Sequence, residues 1–82
     1  MKRGFIVRSL AGHDKGDFQV IFKSDEKFAF VCDGKNRKIE KPKKKNIVHL
    51  KFTKKKLEEE FLKTNKALRT ALRDFCGENK TI

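Results

Sequence analysis

Phe18-Gln19-Val20-Ile21-Phe22-Lys23-Ser24-Asp25-Glu26-Lys27-Phe28-Ala29-Phe30-Val31-Cys32 reads as two β-strands and the connection between them. Side chains of a strand point alternately to its two sides, so Phe18, Val20 and Phe22 share one face. Ser24–Lys27 is a polar connector of hairpin length, and Phe28–Cys32 returns as a second apolar strand. Cys32 continues the face of Phe28 and Phe30 and reads as a small core residue.

Working outward, Phe5-Ile6-Val7 is an earlier strand. Gly12 to Asp17 (Gly-His-Asp-Lys-Gly-Asp) is a turn, with two glycines, two aspartates and no large apolar residue. Asp33-Gly34 is a strong turn signal. Arg37-Lys38-Ile39 is expected as a short fourth strand before Pro42. Asn46 to Phe52 is expected as the last strand, with Val48, Leu50 and Phe52 on one face. Four or five short strands within about fifty residues imply a mainly β fold, a small barrel whose closure removes open sheet edges.

After Phe52 the period changes. Leu57, Phe61, Leu68, Leu72 and Phe75 fall on one narrow helical face. Thr64 interrupts that stripe, so two short helices are expected, over 54–63 and 66–75, with Thr64 or Asn65 capping the second. Gly77 fits the C-terminal stop. Lys54, Lys55 and Lys56 would open the first helix, offset by Glu58, Glu59 and Glu60 four residues on. The expected organisation is one structural domain: a barrel over 1–53 and a helical extension over 54–82, packed on or beside it.

Charge bounds the function. The chain has 82 residues and a formal net charge of +11. Residues 1–56 hold 17 Lys+Arg against 6 Asp+Glu, whereas residues 57–82 hold five of each. The densest stretch is Lys35 to Lys45, with seven cationic side chains and one Glu. Each Lys or Arg that meets a phosphate releases condensed counterions, so such a strip gains affinity for polyphosphate from charge alone.

A chain this short buries only roughly 60 % of its unfolded surface and is too small for most catalytic clefts. There is no Gly-Lys-Ser/Thr phosphate loop, and the carboxylates (Asp14, Asp17, Asp25, Glu26, Asp33, Glu40) are scattered. His13, Cys32, His49 and Cys76 lack metal-ligand spacing. No enzyme activity, cofactor or metal is expected. Two cysteines, no signal peptide and no run near the ~20 apolar residues of a membrane span point to the cytoplasm. A basic amphipathic membrane helix is disfavoured by Glu58–Glu60. Eight Phe supply the bulky apolar material, with no Trp and no Tyr. Most read as core; Phe5 or Phe22 would be the rings offered to a base.

Arg8-Ser9-Leu10-Ala11-Gly12-His13-Asp14-Lys15-Gly16-Asp17-Phe18-Gln19-Val20-Ile21 resembles a KOW motif: a strand, a turn with Gly and Lys-Gly, and a second strand with a buried Val. Val31 to Lys45, with Asp33-Gly34, Arg37-Lys38-Ile39 and Lys41-Pro42-Lys43-Lys44-Lys45, and Val48-His49-Leu50 resemble bacterial KOW-domain RNA-binding proteins. Those are similar to a family of archaeal and eukaryotic large-subunit ribosomal proteins. The resemblance covers about residues 3–52. It implies an SH3-like barrel that binds RNA, most of all structured ribosomal RNA, without catalysis. It places Gly12, His13, Lys15 and Gly16 of the first turn near the nucleic acid. Lys35, Arg37, Lys38, Lys41, Lys43, Lys44 and Lys45 would extend that surface. His13 departs from the pattern, standing where many relatives carry a permanent cation.

The alternative is a transcription- or translation-associated module that binds protein, through the SH3-like barrel and the neutral amphipathic tail. On that reading the C-terminal helices have a protein partner.

Overall fold

The computed structural model describes residues 3–13 and 15–79. Asp14, read above as part of the first turn, lies outside the described residues. The fold is mainly β. Five strands, β1 (Phe5–Ser9), β2 (Phe18–Ser24), β3 (Phe28–Cys32), β4 (Lys43–Asn46) and β5 (Leu50–Lys56), form one antiparallel sheet in the order β4-β3-β2-β1-β5. One helix, α1 (Asn65–Asn79), follows. Among the described residues no helix is long and apolar enough to cross a membrane.

Both faces of the sheet carry apolar side chains, and each builds its own small core. On the inner face Val7, Ile21, Ala29, Val31 and Leu50 pack together, with Ile47 and Phe52 at the margin. On the outer face Ile6, Val20 and Cys32 meet Leu57, Leu62, Leu68 and Leu72. The alternation expected for Phe18, Val20 and Phe22 holds: all three belong to this outer cluster. The stripe of Leu68 and Leu72 is therefore occupied within the chain.

The closed barrel expected from the strand count is corrected: the sheet stays open, with β4 and β5 as its edges. Register shifts between Phe5 and Val7 and between Ile21 and Lys23 bend it, as bulges do. They do not bring the edges together.

The strand expected at Arg37–Ile39 is a loop. Asp33 Oδ1 accepts from the Lys35 and Arg37 amides, and the Ile39 amide donates to Asn65 Oδ1. Donors claimed by side chains are lost to a ladder. The fourth strand lies later, at Lys43–Asn46. The last strand begins later than expected, because Ile47–His49 is a 3-10 turn. Asn46 Oδ1 accepts from the Val48 amide at 3.1 Å and curls the chain there, leaving Val48 74 % exposed.

The helix expected over 54–63 does not form. Lys54–Lys56 continue β5, which runs past the boundary placed after Thr53. Lys56 pairs with Phe5, and the Leu57 amide donates to the Gly4 carbonyl at 2.8 Å. A short 3-10 turn (Glu59–Leu62) follows. The Lys–Glu pairs of that helix fall with it; Glu59 instead pairs with Arg3 at 2.9 Å. Thr64 does cap α1, its Oγ1 accepting from the Ala67 amide. Gly77 does not end α1, which continues to Asn79.

The phenylalanines are not the centre of either core. All eight are half-buried, and Ile, Val, Leu, Ala and Cys fill the interior. Cys32 is fully buried, as expected. Desolvation, with a smaller push from the Asp33 carboxylate, raises its thiol from an ordinary 9.0 to about 12. Folding thus favours the neutral thiol. The stability this contributes is whole below about pH 9 and is lost as pH rises towards 12. Native protein should expose one reactive thiol near neutral pH, that of the half-buried Cys76, with Cys32 reacting only after denaturation. Two equally fast thiols in a native sample would contradict the buried placement of Cys32.

Candidate nucleic-acid interface

Strand register lines the outer face into three rows. The middle row, Ile6, Val20 and Cys32, lies beneath α1. To one side, Lys23 pairs with Phe30 and Phe30 with Lys44. To the other, Phe18 pairs with Arg8 and Arg8 with Lys51. The helix divides two flanks, each built of rings and cations.

On the first flank the cations sit over the rings. Lys44 Nζ lies 4.2 Å from the Phe28 centroid, and Lys23 Nζ lies 4.8 Å from that of Phe30. Such contacts lay the lysine stems on apolar surface and keep the ammonium groups at the surface. The two rings expected as base platforms are similarly covered: Arg3 lies 4.5 Å over Phe22, and Lys56 lies 5.7 Å over Phe5.

The cation-rich run does not lie on one surface. Lys43, Lys44 and Lys45 alternate because they form β4. Lys44 faces out. Lys43 faces in and is half-buried. Lys45 is buried, at 8 % exposure, and its ammonium donates to Ser9 Oγ and to the Ala11 carbonyl. Lys45 therefore ties the β1–β2 turn to the sheet, which sets it apart from the exposed lysines of the run. Lys35, Arg37, Lys38 and Lys41 are exposed on the 33–42 loop.

The first turn meets this loop. His13, from the turn, and Arg37 and Lys43 surround a shallow cleft of about 220 Å³ with Asp17, Asp33 and Asn36. Lys15 is exposed beside it, and Gly12 and Gly16 hold positive φ (88° and 91°) in the turn. The loop is itself fixed to α1. Asn65 Nδ2 donates to the Glu40 carboxylate at 2.8 Å, and Gly34 packs against the Asn65 carbonyl.

Two carboxylates, those of Asp25 and Asp33, accept from backbone amides. Asp25 Oδ1 accepts from the Phe28 and Lys27 amides, which hold its carboxyl below the usual range. Glu59 is likewise lowered, by its hydrogen bond from Arg3. Arg3–Glu59 is the one ion pair among the described residues. Compared with protein-family models and with curated proteins, the chain matches none.

Sequence reading missed Lys23 and Lys44 as a pair and the Arg8–Lys51 row. Both arise from register between segments distant in sequence. The alternation of Phe28 and Phe30 was the one local sign of the first.

Proposed function

We propose that the chain is a non-catalytic RNA-binding protein, with an SH3-like architecture of the KOW kind, and that its target is structured ribosomal RNA or the ribosome. Five short antiparallel strands bent around an apolar interior support the SH3-like reading, in a form whose edges remain apart. One observation carries the functional reading. With 22 Lys+Arg against 11 Asp+Glu the chain holds too few carboxylates to neutralise its cations from within, and its described residues form a single ion pair.

The first turn and the 33–42 loop supply His13, Lys15, Lys35, Arg37, Lys38 and Lys41, with Lys44 on the adjoining flank. These groups neutralise phosphates; Gly12 and Gly16 let the backbone come close. Lys43 stands at the cleft between them, and Lys45 supports the turn from below. The covered rings of Phe22, Phe28 and Phe30 favour reading of backbone and shape over base stacking on this side.

The test is the salt dependence of binding to a folded RNA hairpin. Logarithmic affinity should fall linearly with logarithmic salt, by about 0.9 per neutralised phosphate on a duplex. A Lys35→Gln, Lys38→Gln, Lys41→Gln, Lys44→Gln variant should bind more weakly and with a shallower slope, by about one for each phosphate it no longer neutralises. Affinity indifferent to salt would end the electrostatic reading. The protein-interaction alternative predicts no co-purifying nucleic acid; with no Trp and no Tyr, bound RNA would dominate the ultraviolet spectrum.

A further inference from the structure

We propose that the second flank, at the C-terminal part of α1, binds a short unpaired stretch of RNA. The chain would then grip a place where duplex gives way to single strand. This rests on the RNA-binding reading above. The flank is an open groove of about 740 Å³ lined by Arg8, Lys51, Lys54, Lys55, Phe18 and Phe75, with no carboxylate among the described residues that line it. None of the four cations makes a side-chain hydrogen bond or ion pair among the described residues.

The register places Arg8 directly opposite Lys51 on one face. Like charges so placed destabilise a sheet. Lysines on β5 have a plain structural use, since charge blunts an edge strand. Arg8 does not share that use, because β1 lies between β2 and β5. A repulsive pair that the fold does not need is relieved when an anion bridges it.

The rings decide which anion. Phe18 continues the Arg8–Lys51 row, and Phe75 stands edge-on to it with centroids 5.3 Å apart. Cations beside rings suit an unpaired strand, whose phosphates meet the former and whose bases meet the latter. A duplex keeps its bases stacked inward and offers the rings nothing. An acidic peptide meets the charges and brings no flat partner for the rings. The groove's volume is that of a small-ligand site, room for a few nucleotides.

The two surfaces are separate. The 33–42 loop is fastened at Asn65, and the groove lies at Phe75, ten residues along α1. At ~1.5 Å per residue this is roughly 15 Å. One RNA can therefore occupy both only if it continues from one to the other.

The probe is an RNA hairpin with and without a short single-stranded uridine tail, bound to the full chain at fixed salt. The tail should tighten binding about tenfold. The Lys51→Gln, Lys54→Gln, Lys55→Gln variant should lose that gain while holding the blunt hairpin within about threefold, the residue of weakened long-range charge. Phe75→Leu keeps apolar packing and should also lose most of the gain, with thermal melting as the check that it folds. Lys51→Gln alone should melt no lower than the parent chain, because a repulsion is removed. If the hairpin binds and the tail adds nothing, the groove inference falls and the RNA reading stands. If poly-glutamate of equal charge displaces the tail as well as oligouridine does, the groove takes acidic polymers at large and the inference falls. If neither RNA binds at low salt, both readings fall.

Discussion

Gly34→Ala should be the most damaging small substitution in the chain. Gly34 is buried and holds φ at +78°. A β-carbon there would drive into the Asn65 carbonyl oxygen and stand 3.1 Å from the Arg69 nitrogen. Both neighbours are helix backbone, which cannot turn aside as a side chain would. Backbone strain and overpacking each cost about 1–3 kcal/mol, so a loss of roughly 3 kcal/mol or more is expected. For a domain of this size that lowers Tm by over about 10 °C. Gly77→Ala is the matched control: its added methyl meets nothing within 4 Å, inside α1. It should raise stability by about 0.5 kcal/mol, through helix propensity. Thermal melts of the two variants check both signs. Equal melting temperatures would mean that α1 does not seat on the Asp33–Gly34 turn as described.

Lys45→Met should unfold the protein at lower temperature while Lys44→Gln barely moves it. The two are adjacent in sequence and opposite in environment. Methionine preserves the length of the Lys45 stem but removes the donor that Ser9 Oγ and the Ala11 carbonyl use. Breaking a buried charged hydrogen bond costs about 2–3 kcal/mol. Lys44→Gln removes one cation–ring interaction, about 0.5 kcal/mol at an exposed site. Binding to the RNA hairpin, measured well below both melting points, should show the reverse order, with Lys44→Gln the weaker binder. A Lys45→Met protein as stable as its parent would place that ammonium in solvent.

The β2–β3 hairpin was legible because everything that fixes it is local. Phe18 to Phe22 alternate, the connector is polar, and Asp25 caps the turn with its own carboxylate. Thr64 was legible for the same reason. The misreadings at Lys54–Lys56 and at Ile39 have a different cause. Lys54–Lys56 are strand because Phe5 pairs with Lys56, a partner some fifty residues away that no window contains. The spacing of Leu57 and Phe61 mimicked a helical turn, which tertiary pairing overrode. Ile39 drew the fourth strand to its position as the sole apolar side chain among the cations of the basic run; it instead packs beneath α1. Val48 suited a strand by period, and one Asn46 side chain undid it.

The candidate surface was legible as charge and not as shape. Composition marks the Lys35–Lys45 stretch, and the 33–42 loop does display its cations. Inward-facing Lys45 could have been suspected only by treating 43–45 as strand, where one neighbour or the other must turn inside. The groove of Arg8 and Lys51 had no local sign at all.

The sheet ends on both sides in strands rich in lysine, β4 and β5. Mutual repulsion between such margins keeps one molecule from zipping onto the next. Molar salt shortens the Debye length to about 3 Å and mutes that protection. Conditions that strip away a polyanion are thus also those in which copies of the chain are freest to add strand to strand. Any titration towards high ionic strength needs a parallel measurement of particle size, so that self-association is not mistaken for release.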